Sequence, residues 1–145
     1  MRAVVQRVTE ARVRVDGAIA GEIGAGLCVL VGVTHTDDEA SAHKLADKLW
    51  HLRVMPDADG VMNRSVADTT GELLIVSQFT LYGDTTGGRR PSWIAAARPE
   101  VAEPLIEATV ERLRQLGATV ATGRFRATMD VELVNHGPTT VLLEV

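Results

Sequence analysis

The chain has 145 residues, 46% hydrophobic and 23% charged, with 15 basic and 19 acidic side chains giving a net charge of −4. That length fits one domain, residues 1–145, and buries roughly 68–70% of its unfolded surface, enough for a core without staples. One cysteine, Cys28, leaves no intrachain disulfide or cysteine-rich zinc site. No apolar run suits a membrane helix and none near Met1 suits a signal peptide, so a cytoplasmic setting is expected.

In chain order, residues 10–15 alternate, with Ala11, Val13 and Val15 on one face and Glu10, Arg12 and Arg14 on the other, which predicts a half-buried strand. Asp16-Gly17 supplies the positive-φ pair of a hairpin turn into a second strand over 18–23. Gly24-Ala25-Gly26 is a further turn, and 27–31 is apolar on both parities, as a central strand is. Thr36-Asp37-Asp38-Glu39 reads as a capping box with Thr36 as N-cap. Ala42, Leu45, Leu49 and Leu52 then predict an amphipathic helix to about residue 51. A turn over 56–60 follows. Residues 73–76 form another buried strand, running into Ser77-Gln78-Phe79-Thr80-Leu81. Residues 83–92 are a loop.

A second helix is expected from about Pro99 to Leu116, stopped by Gly117. Pro104 either marks its start or bends its first turn. Residues 125–133 alternate as a strand with Phe125, Ala127, Met129, Val131 and Leu133 inward. Asn135-His136-Gly137-Pro138 breaks it, and 139–145 is the last strand. The class is α+β: a curved, mainly antiparallel, barrel-like sheet with two main helices.

The usual catalytic inventories are missing. The four histidines, His35, His43, His51 and His136, have no zinc-ligand spacing and read as solvated or capping residues. Ser77 has no nucleophile elbow around it. Asp57, Asp59 and Asp68 read as turn residues. Gly83–Gly88 lacks the Gly-Lys-Ser/Thr of a phosphate loop. With five aromatic residues, Trp50, Phe79, Tyr82, Trp93 and Phe125, a base-stacking sheet is a poor reading, and the negative net charge argues against a general nucleic-acid surface.

Two segments stand out instead. Residues 77–81 place polar groups at the end of a buried strand, where apolar residues cost less; they either bond the strand-end backbone or serve a site. Residues 135–139 interrupt two strands, as a hairpin turn does. A third segment, Gly87-Gly88-Arg89-Arg90-Pro91-Ser92-Trp93, sets two arginines on a glycine-rich loop, a pattern that suits phosphate and is also met as plain solvated surface.

Ser77-Gln78-Phe79-Thr80-Leu81 and Asn135-His136-Gly137-Pro138-Thr139-Thr140 resemble the two signature motifs, SQFTL and NxGPVT, of the D-aminoacyl-tRNA deacylases. The resemblance spans essentially the whole chain, including Met1-Arg2-Ala3-Val4-Val5-Gln6-Arg7-Val8, Val31-Gly32-Val33-Thr34-His35, Met62-Asn63, Arg90-Pro91-Ser92 and Thr122-Gly123-Arg124-Phe125. It implies a cofactor-free, metal-free hydrolase of the ester between a D-amino acid, or glycine mischarged on tRNA-Ala, and the terminal ribose of tRNA. It also implies a homodimer in which a cis Gly-Pro bond reaches into the neighbouring subunit's pocket.

Carried over by residue, the resemblance implies that Gly137 and Pro138 offer carbonyls to the substrate's α-amino group and that Arg7 braces them, with Asn135 in the same motif. Ser77, Gln78, Phe79 and Thr80 line the pocket. The N–H groups near Phe79 and Thr80, and secondarily the Thr80 hydroxyl, become oxyanion donors, and Met129 lies near the terminal adenosine. The ribose 2′-hydroxyl assists, which accounts for the missing triad. Arg89 and Arg90 are expected on tRNA phosphate.

The departures from the family pattern are Thr139 for valine, Arg126 for glycine and Gly87 for a frequent lysine, with His136 in the variable position. Competing readings are a trans Gly-Pro enzyme acting on small L-aminoacyl esters, and a non-catalytic RNA-binding module using Arg89, Arg90 and Arg98.

Overall fold

In the computed structural model, which describes residues 1–145, one long strand organises everything else. Strand β1 (Arg2–Val15) turns through Asp16 (φ 50°) and Gly17 (φ 79°) into β2 (Ala18–Ile23), and β3 (Gly26–Gly32) follows. Both turn residues have the positive φ that a two-residue hairpin requires. On one edge β1 pairs antiparallel with β3 through Arg2–Val8 and with β2 through Ala11–Val15. Its other edge pairs antiparallel with β8 (Asp130–Glu144) along nearly its whole length.

Helix α1 (Glu39–His51) leads to a small hairpin, β4 (Met55–Pro56) and β5 (Met62–Arg64). Strand β6 (Glu72–Ser77) lies parallel to β3, and after helix α2 (Pro99–Gln115) strand β7 (Val120–Thr122) lies parallel to β6. The sheet order is β2-β1-β3-β6-β7, with β8 on β1. The sheet is therefore mixed, with antiparallel ladders on β1 and parallel ones on β6. Its ends nearly meet: Gly21 of β2 lies so close to the Thr122 carbonyl of β7 that no Cβ could stand between them. A nearly closed barrel results, with the outer edge of β8 left unpaired.

Two apolar clusters follow from the two faces of β3 and β6. Leu27, Val29, Leu73 and Ile75 face outward under the helices, with Leu45, Leu49, Ile106 and Leu113. Cys28, Leu74 and Val76 face the barrel interior, with Val8, Val13 and Ile23. Both parities of these strands are buried, as the continuous apolar runs predicted. A fully buried Leu or Val contributes about 1.5–3 kcal/mol, so these clusters dominate stability. No helix is long and apolar enough to cross a membrane.

Several expectations need correcting. The N-cap of α1 is Asp38, not Thr36: the Asp37 carboxylate accepts the Thr34 N–H (2.7 Å) in a preceding turn, and extended Asp38 accepts the Ser41 N–H (2.8 Å) in the capping box. Strand β6 stops at Ser77, and Phe79–Tyr82 form a 3-10 turn rather than a strand continuation. Residues 125–127 are a turn, not strand; burial still alternates there, but no ladder forms until Asp130. Residues 135–138 do not end a strand. They are a bulge inside β8, which keeps β1 as partner on both sides of them while the register shifts. Pro99 is the first residue of α2, so Pro104 sits inside the helix. A first helical residue needs no intrahelical donor, which suits Pro99.

Candidate functional site

A cavity of about 540 Å³ opens where β3 and β6 end, between the start of α2 and the 125–131 segment. Ser77, Gln78 and Phe79 form one wall, Met129 and Val131 another, and Trp93 and Pro99 part of the rim. The parallel β3–β6 pair fixes the first wall, since the Gln78 N–H donates to the Val31 carbonyl (2.7 Å). Trp93 is placed by its loop, whose base is pinned at two points: the Thr34 hydroxyl donates to the Ala95 carbonyl (2.6 Å), and the His35 ring is bonded to the Ile94 carbonyl (2.6 Å). His35 is thus an exposed loop anchor. The Phe79 and Trp93 rings meet edge to face at 5.5 Å, a preferred aromatic geometry.

The 3-10 turn supplies donors. Its first N–H groups, those of Phe79 and Thr80, have no acceptor in the chain, whereas the Leu81 and Gly83 N–H groups donate to the Gln78 and Thr80 carbonyls. A helical turn leaves its opening N–H groups unpaired, and a free N–H group at a cavity wall, as at Phe79 with Thr80 next to it, can receive a developing oxyanion. The Thr80 side chain is not part of the wall: its hydroxyl accepts from the Gln78 amide.

Among the cavity's lining residues the one ionisable side chain is Arg126. Cys28 lies in the barrel interior, where burial pushes its thiol up to about 11, so it is no nucleophile. No three His, Cys, Asp or Glu side chains converge as a metal site. The cavity can position a substrate and stabilise negative charge, but it contributes no acid–base pair.

Arg126 has φ 62°, a left-handed conformation that costs a non-glycine residue about 1–2 kcal/mol. This accounts for the glycine expected at this position. Arg126→Gly removes that cost and adds a smaller entropic one, for a net gain of about 0.5–1 kcal/mol. The melting temperature rises by about 1–4 °C; a fall would show that the arginine side chain's contacts outweigh its backbone.

A second group of residues sits elsewhere. Arg7 is buried and donates from Nε to the His136 carbonyl (3.0 Å) and from Nη1 to the Val54 carbonyl (2.7 Å). The Asn135 side chain accepts from the Gln6 amide (3.0 Å). The Gly137-Pro138 bond is cis, and both residues are exposed, so the trans form entertained from the sequence is not found. Buried Thr139 places its hydroxyl on the Met62 sulfur (3.6 Å), the partner its departure from valine requires. From Val131 in the cavity wall to Gly137 is six residues of β8, across the start of the bulge. None of Arg7, Asn135, Gly137 or Pro138 lines this cavity.

Of the residues singled out from the sequence, Ser77, Gln78, Phe79 and Met129 come together, Thr80 stands just behind them, and the Arg7–Asn135–Gly137–Pro138 group is separate. Arg89 and Arg90 are exposed on the 83–92 loop. Sequence reasoning missed Phe125 and Trp93 as wall residues, whereas it placed Arg126 at an edge near the pocket. For Arg126 the signal was present, as an arginine at a glycine position.

The sequence profile of the family described as D-Tyr-tRNA(Tyr) deacylase matches residues 4–144. A D-aminoacyl-tRNA deacylase of Nocardia farcinica is 60% identical over 147 residues, covering 99% of each chain. One of Symbiobacterium thermophilum is 58% identical over 144 residues, 99% of this chain and 95% of its own length. Among solved structures, one titled c-Myc DNA Unwinding Element Binding Protein superposes with a TM-score of 0.94 at 38% identity, covering 100% of this chain and 99% of its own. A probable eukaryotic D-amino acid tRNA deacylase superposes at 0.86 with 14% identity, over 99% and 98% of the two chains, and so shares the fold.

Proposed function

The chain belongs to the D-aminoacyl-tRNA deacylase family, hydrolases of the aminoacyl ester bond, and from that premise we propose that it works as a homodimer by chiral exclusion. Each copy lends its Gly137-Pro138 segment to the other's cavity. The observation carrying this reading is that neither Gly137 nor Pro138 lines the chain's own cavity, while the segment stands exposed and is braced by Arg7. The outer edge of β8, unpaired within the chain and bearing exposed Val134 and Leu142, favours a second copy as cover.

In the complete site, carbonyls of residues 137 and 138 hold the substrate's α-amino group. A D side chain, or the hydrogen of glycine, has room beside them; an L side chain would collide. Selection of this kind ignores what the side chain is, so a wide range of D-amino acids is accepted, as is glycine mischarged on tRNA-Ala.

Water then adds to the ester carbonyl carbon, and the resulting oxyanion accepts hydrogen bonds from the Phe79 and Thr80 N–H groups. Collapse breaks the bond to the ribose 3′ oxygen. That oxygen takes up the proton the water loses, passed across the neighbouring 2′-hydroxyl, and the free amino acid leaves. The ester is already activated, so positioning and charge stabilisation suffice.

Purified protein incubated with D-Tyr-tRNA and L-Tyr-tRNA is expected to cleave the D form alone, with or without chelator. Gly137→Ala places a methyl 3.0 Å from the Asn135 amide nitrogen and is expected to lose rate or selectivity while the dimer persists. Equal cleavage of both enantiomers by wild type, or unchanged selectivity in the variant, would refute the reading.

A further inference from the structure

The chain has two lysines, Lys44 and Lys48, and both stand exposed one helical turn apart on α1. Residues four apart share a helix face, and this face also carries His43 and His51, with Arg53 just beyond its end. The concentration runs against the sign of the whole molecule, whose net charge is −4.

The face is also uncompensated. Neither lysine has a carboxylate partner within 4.0 Å. The one carboxylate in the strip, Asp47, is held by Arg112 (Nε to Oδ1, 2.9 Å). Glu39 stands 3.7 Å from His43 at the start of the helix, and Asp68 lies near enough to His51 to feel its charge. Between those ends, Lys44 and Lys48 offer ammonium groups with nothing of this chain to bind.

Position adds the second argument. Immediately beyond the helix, the Val54 carbonyl accepts from Arg7, which also holds the His136 carbonyl beside Gly137-Pro138. The end of the strip is therefore tied, through Arg7, to the segment proposed to reach the other copy's cavity. The cavity itself has a single cation, Arg126, so most neutralisation of a long polyanion must occur outside it.

We infer that the Lys44–Lys48 face of α1 is a docking strip for the phosphodiester backbone of the tRNA whose 3′ end occupies the other subunit's cavity. This rests on the deacylase reading and its exchanged Gly-Pro segment. The contacts are electrostatic and blind to sequence, as an enzyme serving many tRNAs requires.

The test compares wild type with the double variant Lys44→Glu, Lys48→Glu on two substrates: full-length D-Tyr-tRNA and a D-tyrosyl CCA trinucleotide. The variant is expected to raise KM for the tRNA about tenfold or more at low salt with kcat unchanged, and to cleave the trinucleotide as wild type does. The salt dependence of log KM should lose roughly 1.4–1.8 of its slope, for two contacts removed. Because no other lysines exist, acetylation by an amine reagent maps this face directly, and tRNA should protect both residues. An unchanged KM with no protection overturns the inference, as does equal loss on both substrates, which would mark structural damage. Unchanged tRNA kinetics with weakened binding of a polyaspartate peptide would also overturn it, assigning the strip to an acidic protein. Wild type that cleaves neither substrate would sink the deacylase reading itself.

Discussion

Exchanging Arg7 for methionine is expected to lower kcat/KM for a D-aminoacyl-tRNA about 10²-fold while moving the melting temperature only a few degrees. The two effects separate because they have different origins. The guanidinium is buried and donates to the His136 and Val54 carbonyls. Methionine leaves the Val54 carbonyl unpaired at a cost of about 1–3 kcal/mol, but it also removes a desolvated cation that no carboxylate offsets. Position is lost without such compensation: the carbonyl preceding Gly137 is no longer tethered, and a displacement near 1 Å in a positioning element costs about 10² in rate. Lysine should not rescue activity, since one ammonium cannot reproduce the fork that reaches both carbonyls. Activity within threefold of wild type in Arg7→Met would remove Arg7 from the account.

Replacing the amide N–H of Phe79 by an ester oxygen, with phenyllactate installed at that position, should lower kcat about 10²–10³-fold with KM little altered. The substitution keeps the ring against Trp93 and deletes a donor that has no partner in the chain, at the smaller cost of weakening the Gln78 carbonyl that accepts the Leu81 N–H. Thr80→Val is the companion experiment. Its hydroxyl already accepts from Gln78 and stands off the cavity wall, so the variant should stay within severalfold of wild type. The opposite ranking would move the oxyanion donor from main chain to side chain.

What could be read in advance divides along a physical line. Elements whose evidence is local were legible: the alternation of Ala11, Val13 and Val15, the Asp16-Gly17 turn, and the stripe Ala42, Leu45, Leu49 of α1. Features set by a partner strand were not. Strand β7 is three residues long, too short for a period to show. The parallel pairing of β3 with β6 leaves no mark on either strand beyond burial on both faces. Residues 135–138 carry every local sign of a turn, yet β1 supplies ladder partners before and after them, so the strand continues past the extra residues as a bulge. Around Phe125 the alternation of burial survives without a strand, because a turn through Arg126 sets the same side chains against the barrel. The cavity walls from 77–79 were accessible through a motif; Trp93 and Arg126 arrive from segments whose contribution depends on how two distant loops are pinned.

The placement of cavity and Gly-Pro segment at different ends of β8 bears on how damaging variants combine. A chain disabled at Phe79 still carries an intact Gly137-Pro138, and a chain disabled at Gly137 still carries an intact cavity. If copies exchange these segments as proposed, two individually dead alleles, co-expressed, would rebuild one working centre in every mixed pair, whereas two alleles defective at the same end would rebuild none. Genetic complementation thus sorts lesions by the end of the barrel they strike.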